Sequence, residues 1–128
     1  MGGGGLTNAG VATLIHSTVT NNSRRGLFQA EAPSAESSLF VYHTVVDGNT
    51  DRGLELASGN ATLRHSSVTN NGEAGLFIGS DAAAEVVSSS VSDNSGTGIV
   101  NHGLLHVDAS TLANNTDSGL VNQSDGSA

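Results

Sequence analysis

The stretch "HSTVTNNSRRGLF" at residues 16–28 returns as "HSSVTNNGEAGLF" at residues 65–77. Such a recurrence within 128 residues indicates a structural repeat, and the period of a repeat predicts its architecture. The valine of the phrase aligns with Val19, Val45, Val68, Val91 and Leu112. The glycine before the aliphatic residue aligns with Gly5, Gly26, Gly53, Gly75, Gly98 and Gly119. Both series give a unit of 21 to 27 residues.

Two further positions repeat with the valine. An apolar residue precedes it by five positions, at Leu14, Phe40, Leu63, Val86 and Val107. A polar residue follows it by three, at Asn22, Asn71, Asn94 and Asn115, with Gly48 in the second unit. Each unit thus contains three short strand-like segments separated by Asn, Gly, Ser and Asp turns.

This unit predicts an all-β fold, a parallel β-helix in which one repeat makes one coil. Coils stack about 4.8 Å apart, so the valines form an aliphatic stack and the asparagines a hydrogen-bonded ladder. We expect Gly48 to interrupt that ladder. The general handedness of parallel crossovers favours a right-handed helix. We predict a single domain over residues 1–128, with about five coils and an insertion around Pro33, between Ala30 and Ser37.

The segments "ATLIHSTVTNNSRRGLF", "ATLRHSSVTNNGEAGLF", "AEVVSSSVSDNSGTGIVN" and "LLHVDASTLANNTDSGLVN" carry a family resemblance. They resemble the right-handed parallel β-helix repeats of the pectate-lyase-like superfamily, in particular its Gly/Asn/Ser/Thr-rich bacterial surface proteins. The resemblance implies a secreted or cell-surface location. It is specific for fold rather than for activity, because this scaffold carries lyases, hydrolases, adhesins and inert stalks alike.

The repeats begin in mid-coil at "GGGGL" and end without an evident cap, so we expect a fragment of a longer repeat protein or self-association through the coil ends. We therefore interpret the chain as a structural or adhesive module without catalysis. Two alternatives stay open: a polysaccharide lyase or hydrolase of the pectate-lyase-like type, and a passive polysaccharide-binding module.

Composition argues against several classes of partner. The net charge is −8, with four basic and twelve acidic residues and no basic stripe, so we expect no binding to nucleic acid. No apolar run is long enough to span a bilayer, so we expect no membrane insertion. The first ten residues lack the features of a signal peptide, and cysteine is absent.

His16 and His65 share one repeat position, three residues before the valine. Two coils separate them, so their backbones should lie about 9.6 Å apart with Tyr42 between. A single metal ion does not easily bridge that gap. We therefore predict no metal site and no cofactor.

The lyase alternative depends on acidic and basic residues on adjacent coils. Arg25 and Arg52 both precede the anchoring glycine, and Asp51 precedes Arg52. Asp47 and Asp93 are predicted to share a turn position. The resemblance implies that such an enzyme would use an arginine to take up a proton and a carboxylate cluster to bind calcium. Our candidate catalytic residues are Arg25, Arg52, Asp47 and Asp51. The sequence favours a solvated salt-bridge ladder over a catalytic site at these positions.

The residues on either side of the valine should point outward when the valine points inward. They are mostly hydroxyl residues, and exposed β-surfaces favour Thr in any case. This array is the candidate surface for binding polysaccharide. Its members are Thr18, Thr20, Thr44, Ser67, Thr69, Ser90, Ser92 and Thr111.

Overall fold

The computed structural model describes residues 3–31 and 37–123, and these form strands, turns and bends without a helix. Each complete coil carries three strand segments in sequence, the first two of which are continuous in the third and fourth coils. Every strand pairs in parallel with its counterpart one coil away. The predicted all-β solenoid of about five coils is confirmed. The described residues contain no helix of the length and apolarity needed to cross a membrane. Of the insertion predicted between Ala30 and Ser37, residues 32–36, which include Pro33, lie outside the described residues.

The first strands of successive coils form one face. They are β1 (Leu6–Asn8), β4 (Leu27–Gln29), the start of β7 (Leu54–Arg64), the start of β9 (Leu76–Val87), β11 (Ile99–Asn101) and β14 (Leu120–Asn122). With neighbours about 4.8 Å apart, these six strands span about 24 Å along the solenoid axis.

The second strands form another face. They are β2 (Val11–Ile15), β5 (Ser38–Tyr42), the ends of β7 and β9, and β12 (Leu104–Asp108). The third strands form a separate sheet of β3 (Thr18–Thr20), β6 (Val45–Asp47), β8 (Ser67–Thr69), β10 (Ser90–Ser92) and β13 (Thr111–Ala113).

The core is a set of aliphatic stacks that run from coil to coil. One stack from the first strands consists of Leu27, Leu54, Leu76 and Ile99, all with 0% exposure. Burial of each such side chain contributes roughly 1.5–3 kcal/mol. None of the four aromatic rings belongs to this core. The aromatic residues therefore lie on the outside of the solenoid.

The valine stack inside the third strands corrects the predicted register of the second coil. Val46, not Val45, pairs with both Val19 and Val68. Val46 is 1% exposed, whereas Val45 points outward and is 40% exposed. In the same way Val41 rather than Phe40 pairs with Leu14 and fills the core. Because residues 45 and 46 are both valine, the aliphatic pattern of the sequence fits either register of the second coil.

The same correction completes the asparagine ladder, which is Asn22, Asn49, Asn71, Asn94 and Asn115. Asn49 Nδ2 donates to Asn71 Oδ1 at 3.0 Å, and the backbone N–H of Asn49 donates to the same oxygen at 3.1 Å. Asn71 repeats both bonds with Asn94 and also donates to the carbonyl of Val46. The prediction that Gly48 interrupts the ladder was wrong.

Gly48 belongs instead to a column of left-handed turn residues. Its φ is 66°, and the other members are Asn21, Asn70, Asp93 and Asn114, with φ from 52° to 56°. A second left-handed column precedes the third strands and consists of His16, His43, His65, Ser88 and Ala109, with φ from 48° to 50°. Asn, Asp, Gly and His tolerate this conformation better than other residues do.

The anchoring glycines from Gly5 to Gly98 are required by close packing against the ladder. A Cβ on Gly53 would lie 2.5 Å from Val68 Cγ1 and 2.7 Å from Asn71 Nδ2. No side chain fits there without displacing the valine stack or the asparagine ladder. The repeated Gly, Val and Asn are therefore one packing unit.

Asn71→Ala should lower the free energy of unfolding by about 3 kcal/mol, because it leaves two buried Asn49 donors without an acceptor. Urea denaturation measures this change. Asn22→Ala, at the half-buried first position of the ladder, is the matched control and should cost about 1 kcal/mol or less. Equal losses for the two variants would contradict the ladder's role.

Ala109→Gly should stabilise the protein by about 1 kcal/mol, because Ala109 is exposed at a φ of 49°, a conformation that glycine adopts more readily. Ala83→Gly, on an extended strand, should have the opposite sign. Thermal unfolding of both variants checks the prediction. Destabilisation by Ala109→Gly would contradict it.

Candidate functional site

The hydroxyl array lies on the outer face of the third-strand sheet. Seven of its eight predicted members occupy outward positions there: Thr18, Thr20, Ser67, Thr69, Ser90, Ser92 and Thr111. Thr44 does not, because the corrected register places Val45 in that column. Val45 and Asp47 therefore break the array in the second coil.

Thr44 is 1% exposed and belongs to a second polar ladder. Its Oγ1 accepts from the Ser17 backbone N–H at 3.3 Å, and its own N–H donates to Ser66 Oγ at 3.2 Å. Ser66 and Ser89 continue the same pattern toward Ser110. This residue links coils and is unavailable to a ligand.

Asp47 lies on the hydroxyl face and not in the turn column of Asp93. It pairs with Thr20 on one side and with Thr69 on the other. Its Oδ1 accepts from Thr69 Oγ1 and Asn70 Nδ2, both at 2.8 Å. The predicted turn position shared by Asp47 and Asp93 was therefore wrong, because it followed from the displaced register.

Arg25 and Arg52 do come together, around a carboxylate that the sequence reasoning missed. Arg25 Nε lies 3.0 Å from Glu55 Oε1, and Arg52 Nη1 pairs with the same oxygen. Arg52 Nε also lies 3.6 Å from Glu73 Oε2. Within residues 3–31 and 37–123, no salt bridge joins either arginine to Asp51.

Aromatic rings complete this arginine–glutamate cluster. Arg25 Cζ lies 4.5 Å from the centroid of Phe28, and Arg52 Cζ lies 4.2 Å from that of Phe77. Phe28, Glu55 and Phe77 form one outward column on three successive first strands. The strand alternation after each anchoring glycine predicts that column, although the reach of each arginine is not visible in the sequence.

A second pair of aromatic rings lies on the outer face of the second strands. Phe40 and Tyr42 have ring centroids 6.1 Å apart and planes inclined by 27°. In the first coil, Val11 and Ile15 on the same face are 71% and 55% exposed. A shallow groove on the later coils of this face is lined by alanine and leucine residues together with Asn60, Thr62, Glu85 and His106. The displaced register had placed Phe40 in the core.

A row of three imidazoles follows the left-handed column before the third strands. His43, not Tyr42, lies between His16 and His65. The ring centroids of neighbours are 5.0 Å apart in both pairs, with planes inclined by 20° and 12°. All three side chains are exposed. Among the described residues, no group of three or more His, Cys, Asp or Glu side chains is arranged to hold a metal ion.

A comparison with protein families identifies the repeat. The model of a family described as a right-handed beta helix region matches residues 2–117. No curated protein and no solved structure matches the chain. The match covers most of the chain and agrees with the parallel coils and with the handedness expected from the sequence. The chain therefore belongs to the right-handed beta helix family.

Proposed function

We propose that this chain is a structural or adhesive β-helical module of a secreted or surface protein and that it does not catalyse a reaction. One observation carries the proposal: three of the four residues on which a lyase site would depend, Arg25, Arg52 and Asp47, have side chains engaged in contacts between coils. Arg25 and Arg52, from the ends of two successive coils, both bind Glu55 on the third. Asp47 binds Thr69 and Asn70 of the next coil.

The arginine environment is unsuitable for proton abstraction. An arginine that takes up a proton must be free to approach the substrate, whereas both arginines are held by Glu55 and by the face of a phenylalanine ring. Arg52 has two carboxylate neighbours and lies over the face of Phe77. Such a cation contributes to the packing of the outer surface.

The internal contacts suit a spacer. The two polar ladders connect each coil to the next, and the aliphatic stacks run alongside them. In a solenoid each repeat contacts only its neighbours, so this pattern makes a rod whose length grows with coil number. The outer faces stay free to vary without loss of the core, which is the property an adhesive module needs.

Incubation with pectin, alginate and related polymers, with and without calcium, should yield no unsaturated product. Arg52→Ala should change only stability, by about 1 kcal/mol, because its ion pairs are partly exposed. Arg64→Ala, which removes the salt bridge to Glu85 on another face, is the matched control. Product formed by the wild type and by Arg64→Ala, but not by Arg52→Ala, would overturn the proposal in favour of a lyase.

Passive glycan binding is a second candidate, favoured by the outward Phe40 and Tyr42 pair. Aromatic rings placed side by side on a flat β-face offer apolar area with low loss of side-chain entropy, and the Tyr hydroxyl adds a polar contact. Sugars present apolar C–H faces that can stack on such rings. Thr62 lies beside Phe40 in the strand register and provides a hydroxyl group.

A glycan array should distinguish the two outer faces. If the aromatic pair binds, Tyr42→Ala should weaken the affinity about tenfold, the loss of one ring–sugar contact of roughly 1.4 kcal/mol. Thr20→Tyr with Thr69→Tyr, which blocks the hydroxyl face, should leave binding unchanged. Binding lost only in the threonine variants would assign the ligand to the hydroxyl array instead.

A further inference from the structure

The left-handed turn that holds the histidine row, His16, His43 and His65, does not require histidine. The same left-handed position holds Ser88 in the fourth coil and Ala109 in the fifth, with φ of 50° and 49°. The turn therefore forms without an imidazole. Three rings on three consecutive coils are an addition to the scaffold, and their chemistry can be considered separately from its stability.

The corrected register removes the main objection to a metal ion at this row. In the register predicted from the sequence, Tyr42 lies between His16 and His65, and two histidines about 9.6 Å apart do not bind one metal ion together. With His43 between them, each imidazole has a neighbour at a centroid distance of 5.0 Å. The row thus contains two overlapping pairs that share His43.

The distance allows a chelate once the two rings rotate about their side-chain torsions, because the nitrogen lone pairs of stacked rings point side by side and not toward one ion. Because neighbouring rings are inclined by only 20° and 12°, equivalent nitrogens lie about as far apart as the centroids. In tetrahedral Zn²⁺ coordination with bonds of about 2.1 Å, two ligand nitrogens lie about 3.4 Å apart. The nitrogens of each pair must therefore approach by about 1.6 Å, and all three side chains are exposed and have room to rotate.

The surroundings provide access and a favourable field. His43 and His65 lie at the rim of a shallow open groove whose lining includes Ser67, Ser90 and Thr111. Water can therefore complete the coordination. The net charge of −8 raises the local concentration of cations. Imidazole nitrogen is a preferred ligand of Zn²⁺, Cu²⁺ and Ni²⁺ rather than of Ca²⁺ or Mg²⁺.

We propose that His16, His43 and His65 form a surface site for one divalent transition-metal ion such as Zn²⁺, held by two neighbouring imidazoles with His43 common to both arrangements. The ligands bind through neutral nitrogen, so protons compete with the metal and binding weakens at acidic pH. The site is independent of the proposed structural function, and its failure would leave that function intact.

The test is a Zn²⁺ titration of the full chain by calorimetry, combined with NMR of the imidazole nitrogens. Zn²⁺ should perturb His16, His43 and His65 and leave His106 unaffected. His43→Asn destroys both pairs and should weaken binding by about 100-fold, the loss of a second linked ligand. Asparagine is chosen because it tolerates the left-handed conformation at this position.

Further variants keep the result interpretable. His16→Asn and His65→Asn each leave one pair and should weaken binding no more than about twofold, a statistical factor. The double variant His16→Asn/His65→Asn should bind Zn²⁺ as weakly as His43→Asn does. Agreement between two different proteins excludes a folding defect in one of them as the cause. His106→Asn, on another face, is the control and should bind as the wild type does. Equal affinities of His43→Asn and His106→Asn, or equal shifts of all histidines, would overturn the proposal.

Discussion

The amide group of each ladder asparagine connects one coil to the next, and the register of every strand depends on it. In the middle of the ladder the side-chain oxygen accepts two bonds from the preceding coil, while the side-chain nitrogen donates to the following one. Asn71 and Asn94 are completely buried, so a shift by one residue would leave several donors and acceptors unpaired. The valine stack and the close-packed glycines lie directly against this ladder and are fixed with it.

The period of the repeat made the fold predictable, because Val, Asn and Gly must recur wherever a coil closes. The valine pattern alone did not determine the register of the second coil, since "TVVDGN" contains two valines in succession. The structure chooses Val46, and the valine spacings then become 27, 22, 23 and 21 residues. The glycine series from Gly26 to Gly119 has the same four spacings. Agreement between the two series was the signal that identifies the correct register.

This one-residue shift in the register of the second coil changed the positions of several candidate surface residues. It moved Phe40 to the outside, buried Thr44 and placed His43 between His16 and His65. Contacts between long side chains could not be predicted from the repeat in this way. Alternation places Glu55 outward, but its two arginine partners depend on side-chain conformations that no spacing encodes. Backbone position follows from the repeat, whereas ion pairs and ring contacts follow from local packing on an outer face where the repeat is not conserved from coil to coil.

The right-handed beta helix provides the scaffold, and its outer columns differ from face to face: hydroxyls, an arginine–glutamate cluster, an aromatic pair and a histidine row. The central claim is that Asn49 continues the buried ladder. Hydrogen exchange of the asparagine side-chain amides, followed by NMR, tests it most directly. We predict slow exchange for Asn49, Asn71 and Asn94, and rapid exchange for the exposed Asn21, Asn70 and Asn114. An Asn49 amide that exchanges as rapidly as that of Asn70 would contradict the account.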